Sequence, residues 1–308
     1  MCFVNETNIF TNRLLGAITM PELRGNPRIA RATEAIRSAE VLVIGAGAGL
    51  SAAAGYDFTN SEKFARDYPG MLQYGFTKKI QMMANFSVGE NILWGYYLQN
   101  VAETRFDNGE PHPVYQALRQ LSELFKDWFV VTTNVDALFQ RNGFDQRRIY
   151  TPQGDYGLGQ CRSGCTQETW SSKPWIDNLL NQVDRSTQKL ADELIPRCPN
   201  CGGPTFFNVR CASWFVDKHW LEGRLRWEAW LKRNRTQKVL SIDIGSGFNT
   251  PMWVRWPLEK ITSRNPQSTL IRMNRDHPDI PKQIEAQSIS FQEDPLNVLN
   301  SILEDLQQ

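Results

Sequence analysis

The sequence predicts an α/β fold: a doubly wound, Rossmann-like parallel sheet with an inserted helical module and a small module that carries cysteines. Three observations lead to this prediction. Short runs of branched apolar residues alternate with segments of helical periodicity, a glycine-rich turn follows the first run, and four of the six cysteines lie in one interval. Strands that alternate with helices are typical of a mostly parallel sheet covered on both faces.

Five short apolar runs have the composition of strands that are buried on both faces. They are 41–44, Trp128–Thr132, Val239–Ile244, Thr269–Met273 and Ser288–Phe291. Helical periodicity is found over 31–40, 114–126, 136–141 and 295–306. Ligands of such sheets bind at the carboxyl ends of the strands, so we expect the functional residues directly after Ile44, Thr132, Tyr150 and Ile244.

Two segments interrupt this alternation. Residues from about 60 to 110 have helical character but are too long for an ordinary connection between two strands, which indicates an inserted helical module or lid. Residues 159–204 contain four cysteines and form a second predicted module. The predicted organisation is therefore a Rossmann-like domain over 27–158 and 205–308, the cysteine module at 159–204, and an N-terminal extension at 1–26.

Composition excludes several classes of function. The chain has 34 Lys and Arg against 33 Asp and Glu, a net charge of +1, so it lacks the basic footprint of a nucleic-acid-binding or membrane-surface protein. Its most apolar stretch, 41–54, is too short to span a bilayer. The N-terminus does not have the pattern of a secretory signal. We expect a cytoplasmic protein with no nucleic acid or membrane partner, whose cysteines are thiols or metal ligands.

A glycine-rich turn follows the first predicted strand, where residues 45–55 are GAGAGLSAAAG. Without side chains the backbone can approach a diphosphate closely, and the amides at a helix start favour its negative charge. A nucleotide or dinucleotide is the expected ligand. The alternative is a tight strand-to-helix turn that binds nothing, because a glycine-rich loop alone is a weak signal.

Polar residues follow the other predicted strands at the same edge of the sheet. They are Thr133, Asn134 and Asp136 after the second run, Gln153 after 148–151, the turn GSGFNTP at 245–251, and Asn274 with Arg275 after Met273. Any one of these alone has the commoner role of a turn or capping residue. Four such turns at one edge predict a shared ligand site.

Together these motifs resemble the sirtuin family. The run GAGA at 45–48 with Ser51 and Asp57 resembles its NAD-binding loop, 111–118 the segment before its second strand, and 132–136 its Thr-Gln-Asn-Ile-Asp motif. The resemblance extends from about residue 39 to the C-terminus. It implies NAD as cofactor, bound by Gly45, Ala46, Gly47, Ala48, Ser51, Asp57, Thr133, Asn134, Asp136, Gln153, Gly245, Ser246, Gly247, Asn249, Asn274 and Arg275.

The sequence departs from deacylating sirtuins at one decisive position. In those enzymes a histidine that acts as general base precedes the glycine matched here by Gly154, and this chain has Gln153 there. An amide has no basic lone pair near neutral pH and cannot take a proton. The proline before Asp57 and the arginine after Phe58 are also replaced, which disfavours ordinary lysine deacetylation.

The combination of Asn134 and Gln153 with the loops 45–51 and 245–251 is similar to the class M, macrodomain-linked branch of the sirtuins. That resemblance implies protein mono-ADP-ribosylation. It also implies a lipoylated carrier protein, similar to glycine-cleavage protein H, as the acceptor. A macrodomain hydrolase is the implied functional partner that removes the modification.

Three residues are expected to carry the chemistry. Cleavage of the nicotinamide–ribose bond develops positive charge on the sugar. Asp136 matches the family residue that holds the leaving carboxamide, while Asn134 and Gln153 would position the ribose hydroxyls and the nucleophile. A carboxylate acceptor needs no deprotonation, so Gln153 favours transfer to a protein carboxylate. An NAD-dependent deacylase with another base, an NAD hydrolase and a non-catalytic nucleotide sensor remain alternatives.

The cysteines form the pairs Cys161/Cys165 and Cys198/Cys201, with C-x-x-x-C and C-x-x-C spacing. Four thiolates suit a closed, tetrahedral zinc site with a structural role. The alternative is a set of free thiols or a site that has lost its metal. Cys2 and Cys211 have no partner at such a spacing and are expected to be ordinary thiols.

Aromatic residues fall into two groups. Trp220, Trp227 and Trp230 have helical spacing and are expected to pack on the core. The helical module carries a second group, which would form a docking surface for the carrier protein if the rings are exposed. Its members are Tyr74, Phe76, Phe86, Trp94, Tyr96 and Tyr97.

Overall fold

The computed structural model of the chain describes residues 23, 25–83, 85–107, 109 and 111–308. Most of the predicted N-terminal extension, including Cys2, lies outside the described residues. The strands are β1 (Val41–Ala46), β2 (Trp128–Thr132), β3 (Ile149–Tyr150), β4 (Gly154–Cys161), β5 (Trp170–Ser171), β6 (Thr205–Val209), β7 (Val239–Ile244), β8 (Thr269–Met273) and β9 (Ser288–Phe291). The α-helices are α1 (Pro27–Ser38), α2 (Ala48–Ala53), α3 (Ser61–Asp67), α4 (Glu90–Arg105), α5 (Pro113–Glu123), α6 (Leu138–Arg141), α7 (Lys173–Leu179), α8 (Leu221–Arg233), α9 (Arg255–Arg264) and α10 (Pro295–Leu306).

Six parallel strands of the described chain form the main sheet, in the order β3-β2-β1-β7-β8-β9. Every residue of the central strand β1 is buried. Alternate β1 residues point to opposite faces: Leu42 and Ile44 pack with α1, α5 and α10, whereas Val41 and Val43 pack with α8 and α9. The sequence-based prediction of a doubly wound parallel sheet is confirmed, and the five predicted apolar runs are all strands.

The tryptophans of α8 pack on the main sheet, as predicted from their spacing. Trp227 is 6% exposed and Trp230 is 2% exposed. Both rings contact Phe129 of β2, and they stack on each other with centroids 5.6 Å apart.

Within the described residues, no helix is both long and apolar enough to cross a lipid bilayer.

A second apolar core joins the predicted helical module to the predicted cysteine module. Rings from α4 pack against rings from β6 and α7; for example, Trp94 contacts Trp175 at 5.1 Å and Phe207 at 5.6 Å between centroids. We call residues 58–83, 85–107 and 154–216, which share this core, the small domain. The two modules that the sequence separates therefore fold as one unit.

The aromatic rings of the helical module do not meet the condition of exposure on which a docking surface there depended. Trp94, Tyr96 and Tyr97 are between 0% and 3% exposed, and Tyr74, Phe76 and Phe86 are partly buried against the same core. The α4 helix places apolar residues around its whole circumference, because the cysteine-bearing segment covers the face that would otherwise meet solvent.

The boundaries of the small domain also differ from the prediction. The strand β4 pairs antiparallel with β5 and β6 in a three-stranded sheet of the described chain. The predicted boundaries at 158 and 205 therefore lie within β4 and at the first residue of β6. Pairing between strands more than 40 residues apart leaves no local pattern in the sequence that marks the boundary.

A buried network of ion pairs joins strands β7 and β8 to helix α9. Arg272 and Asp243 are both 0% exposed, and Arg272 Nε donates to Asp243 Oδ2 at 2.8 Å. Arg272 Nη2 also donates to Glu259 Oε1 at 2.8 Å. A buried arginine whose charge is balanced in this way loses its compensation when a partner carboxylate is removed.

We predict that Asp243→Ala lowers the free energy of unfolding by about 3–5 kcal/mol, because it leaves the Arg272 charge buried with less compensation. Glu228→Ala is the matched control. It breaks the Arg224–Glu228 pair of α8, whose side chains are 51% and 59% exposed, and should change stability by about 1 kcal/mol or less. Urea denaturation of both variants measures the difference, and equal losses would contradict the role of the buried network.

Candidate functional site

A cavity of about 880 Å³ opens at the carboxyl edge of the main sheet, beneath the small domain. Its floor is formed by the loops that follow β1, β2, β7, β8 and β9. Its opposite wall comes from the small domain and includes Ile80, Met83, Tyr97 and Tyr156. This is the edge at which a doubly wound sheet binds ligands.

Most of the residues predicted for the site line this one cavity. They are Gly47, Ala48, Asp57, Thr133, Asn134, Gln153, Gly245, Ser246, Gly247, Asn249, Asn274 and Arg275. Four others do not line it. Gly45 and Ala46 are the last residues of β1, while Ser51 and Asp136 lie buried behind the cavity wall.

The glycines after β1 and β7 allow two loops to touch backbone to backbone. A Cβ on Gly49 would lie 2.5 Å from Gly245 Cα, and a Cβ on Gly47 would lie 2.6 Å from Gly245 O. The amide of Gly49 donates to Gly245 O at 3.2 Å, and Gly245 has φ of +65°. Glycine is therefore needed at these positions for the contact between the two loops, in addition to the expected approach of a diphosphate.

Two asparagines are held by these loops. Asn134 Nδ2 donates to Gly47 O at 2.9 Å, and Asn274 Nδ2 donates to Ser246 O at 2.8 Å. Asn274 Oδ1 also accepts from the amides of Asp276 and His277 at 3.2 and 2.9 Å. Each side chain is therefore fixed on the loop of the neighbouring strand, with its amide at the cavity wall.

Asp136 joins α2 to the loop after β2. Its Oδ2 accepts from the Ser51 hydroxyl at 2.6 Å, and its Oδ1 accepts from the Leu138 amide at 3.0 Å. Burial raises the pKa of the Asp136 carboxyl, and these two hydrogen bonds oppose the shift. Both carboxylate oxygens already have a partner, although each can accept a further hydrogen bond.

Gln153 lies between β3 and β4, half-buried at the cavity wall. Its backbone carbonyl accepts from the Arg210 amide at 2.9 Å, which fixes this turn against the end of β6. Its side-chain amide makes no hydrogen bond to another described residue. The amide is thus available to a ligand in the cavity.

Sequence reasoning missed several residues that line the cavity, above all Arg210, Tyr97, Tyr156 and His277. Arg210 Nε donates to Pro152 O at 2.9 Å, and its guanidinium carbon lies 4.2 Å from the centre of the Phe215 ring. The apolar run Thr205–Val209 could have indicated Arg210 from the sequence, because a strand over that run places Arg210 directly after the strand end.

The four predicted zinc ligands come together at one end of the small domain. All four sulfur atoms of Cys161, Cys165, Cys198 and Cys201 lie within 4.8 Å of one another, and two of the pairs are 3.7 and 3.6 Å apart. Zinc–thiolate bonds of about 2.3 Å in a tetrahedron place sulfurs about 3.8 Å apart. The positions of the four sulfur atoms therefore suit a tetrahedral zinc site.

The remaining described cysteine, Cys211, is of a different kind. Its Sγ donates to Val209 O at 3.4 Å, and burial raises its pKa to about 11. It lines the cavity but is a protonated thiol at neutral pH.

We predict that Gly49→Ala lowers the free energy of unfolding by about 1–3 kcal/mol, because the added methyl group forces the two loops apart. The control is Gly247→Ala in the same loop pair, where an added Cβ meets no atom within 4 Å. Thermal denaturation of both variants tests this. A destabilised control with an unaffected Gly49 variant would show that the loops do not need close contact.

We predict close to one zinc ion per chain, bound by the four cysteines as a structural site. Cys198→Ser should lower the zinc content and the melting temperature together, because a thiolate ligand of the closed site is lost. Cys211→Ser should leave the zinc content unchanged. Elemental analysis of freshly purified protein measures both, and the absence of zinc in the parent protein would refute the assignment.

Two relatives match most of the chain. It is 34% identical over 274 residues to a probable bifunctional ADP-ribose hydrolase/ADP-ribosyltransferase of Fusarium oxysporum f. sp. cubense, with 85% of this chain and 46% of the relative covered. It is 29% identical over 274 residues to a protein ADP-ribosyltransferase of Staphylococcus aureus, with 87% and 85% covered. The chain thus spans less than half the length of the Fusarium relative.

A solved structure shows the same fold. A Sir2 homologue in complex with NAD superposes with a TM-score of 0.59 at 18% identity, and the match covers 90% of this chain and 93% of that chain. No protein-family model matches the sequence. The chain therefore has the Sir2 (sirtuin) fold and is related in sequence to proteins named as ADP-ribosyltransferases.

Proposed function

We propose that this protein is an NAD-dependent protein mono-ADP-ribosyltransferase. It would release nicotinamide and transfer the ADP-ribosyl group to a protein acceptor. The observation that carries the proposal is the pair of amides, Asn134 and Gln153, in one cavity of a Sir2 fold, where a deacylating sirtuin has a histidine base in place of Gln153. The two relatives named as ADP-ribosyltransferases match 85% and 87% of the chain and support it.

Another histidine does not replace the missing base. Among the described residues, His277 is the histidine that lines the cavity, and it follows β8, whereas Gln153 follows β3. Four strand spacings separate β3 from β8 in the sheet order, which is about 19 Å at 4.8 Å per strand. Proton transfer requires hydrogen-bond contact or one bridging water, so His277 is too far from the Gln153 position to serve.

A carboxylate on the acceptor protein fits this site. It is already ionised at neutral pH, so it attacks without losing a proton. Arg210 lies beside Gln153 in the cavity wall, with its Nη2 3.7 Å from Asp217 Oδ2. The remaining donors of its guanidinium would hold a carboxylate through charge-assisted hydrogen bonds. The positive charge of Arg210 would also favour the ionised form of the acceptor.

NAD supplies the ADP-ribosyl group and the nicotinamide leaving group. The bond from the sugar to nicotinamide breaks with its electron pair going to the nicotinamide nitrogen, and the acceptor oxygen forms the new bond to the sugar. The backbone of the contacting loops at 47–49 and 245–247 would hold the diphosphate, and Asn274 would hold the adenosine ribose. Asn134 and Gln153 would position the second ribose and the nucleophile by hydrogen bonds.

Asp136 and Ser51 have a separate proposed task. Where NAD opens the cavity wall, Asp136, which is buried behind it, would accept from the NH2 group of the nicotinamide carboxamide, with Ser51 holding the carboxylate in place. This requires a carboxylate oxygen that already accepts one hydrogen bond to accept a second, which its lone pairs permit.

We further propose a lipoylated carrier protein similar to glycine-cleavage protein H as the acceptor, with a macrodomain hydrolase to remove the modification. The class M pattern of Asn134, Gln153 and the two glycine loops supports this acceptor. The apolar wall formed by Ile80, Met83 and Tyr97 would suit the neutral, hydrophobic lipoyl group. The name of the Fusarium relative joins ADP-ribose hydrolase to ADP-ribosyltransferase, which is consistent with a paired hydrolase.

We predict that the protein adds one ADP-ribosyl unit to the lipoylated carrier and none to the carrier without lipoate. Asn134→Ala should abolish transfer, and Gln153→Ala should reduce it by about 100-fold, since positioning groups of this kind contribute several kcal/mol to catalysis. Intact-mass spectrometry of the carrier after incubation with NAD measures transfer. Gln267→Ala is the matched control, because Gln267 is exposed at the amino edge of the sheet, before β8.

The products distinguish the alternatives. An acyl-ADP-ribose ester would identify a deacylase, free ADP-ribose without acceptor would identify an NAD hydrolase, and bound but unconsumed NAD would identify a sensor. Full transfer activity in both the Asn134 and Gln153 variants would overturn the assignment of these residues.

A further inference from the structure

One buried arginine lies outside the proposed chemistry yet contacts both loops at one end of the cavity. Arg255 is the first residue of α9 and is 2% exposed. Its Nη1 donates to His277 O at 3.1 Å and to Ser246 O at 3.4 Å, and its Nη2 donates to Asp279 O at 2.9 Å. A single side chain thus joins the loop after β7 to the loop after β8.

Both of these loops line the cavity. Ser246, Gly247 and Asn249 line it from the β7 side, and Asn274 and His277 line it from the β8 side. The carbonyl of Ser246 is also the acceptor for Asn274 Nδ2 at 2.8 Å. Arg255 and Asn274 therefore both donate to the same backbone carbonyl, and both hold the β7 loop against the β8 loop.

The position of the guanidinium is itself fixed. Its carbon lies 4.5 Å from the centre of the Phe248 ring, and its Nε lies 3.6 Å from Glu259 Oε1. Glu259 and Asp243 balance the charges of Arg255 and Arg272 in the same buried network. A planar guanidinium with donors on both sides can serve carbonyls of two loops together, which a lysine ammonium on a flexible stem does less well.

We propose that Arg255 is a positioning residue for NAD: it holds the loops after β7 and β8 in the geometry that receives the adenosine half of the dinucleotide. This inference rests on the proposed function, in which Asn274 holds the adenosine ribose. Arg255 touches no reacting atom in this assignment. Its loss should therefore weaken binding of the nucleotide and leave the chemical step unchanged.

The test compares Arg255→Met, Arg255→Lys and the matched control Arg264→Met, which removes an exposed arginine at the other end of α9. Titration calorimetry with ADP-ribose measures affinity without turnover, and steady-state kinetics separates KM for NAD from kcat. We expect Arg255→Met to weaken ADP-ribose binding and raise KM about tenfold or more, since hydrogen bonds from a charged donor are lost. Arg255→Lys should be intermediate, kcat should stay within about twofold in both, and the control should match the parent.

Several outcomes overturn the inference. A folded Arg255→Met variant with parental affinity does so, as does a lower melting temperature with unchanged KM, which would show a purely structural role. If Arg255→Met fails to fold, Arg255→Lys decides, and parental affinity in that variant refutes the inference. Failure of the parent protein to bind ADP-ribose would instead refute the proposed function.

Discussion

The close approach of two backbone loops, after β1 and after β7, is the constraint on which the site depends. A Cβ on Gly49 would lie 2.5 Å from Gly245 Cα, so the two loops meet only because both residues are glycine. Asn134 donates to the first loop and Asn274 to the second. One contact thus places backbone amides and both asparagine side chains around the same cavity.

The second requirement is the small domain, because it forms the opposite wall. Tyr97 and Tyr156 belong to its aromatic core and also line the cavity. The packing of α4 against β4 and β6 therefore decides where this wall lies. The cysteine cluster joins the end of β4 to the segment that leads into β6. A zinc ion there would hold these two strands together and so stabilise the cavity wall that they support.

Charge in the site follows from the same architecture. Near β7 and β8, the charges of the buried residues Arg255 and Arg272 are balanced by Asp243 and Glu259. Arg210 lies at the other side of the cavity, beside Gln153. Near the proposed acceptor position the cavity therefore has the side-chain amides of Asn134 and Gln153 and the guanidinium of Arg210. Such a site favours a nucleophile that arrives as an anion.

Local pattern was sufficient for the main sheet and for most of the cavity. The apolar runs at β1, β2, β7, β8 and β9 have strand composition, and the rule that ligands bind at carboxyl ends of parallel strands leads directly to Asn134, Gln153 and Asn274. The two cysteine pairs likewise predict a cluster, because their spacing is local. These features could be read from the sequence since each depends on neighbours along the chain.

The sequence by itself determined the strand pattern, the glycine loops, the amide in place of a histidine at Gln153, and the cysteine pairs. Only the tertiary structure decided that the aromatic residues of α4 form a core, that Ser51 and Asp136 meet behind the cavity, that Arg210 lines it, and that Arg255 joins two of its loops. These last features depend on contacts between residues far apart in the chain; for example, Ser51 and Asp136 are 85 positions apart. Such contacts exist only once the chain has closed its loops, so no local pattern encodes them.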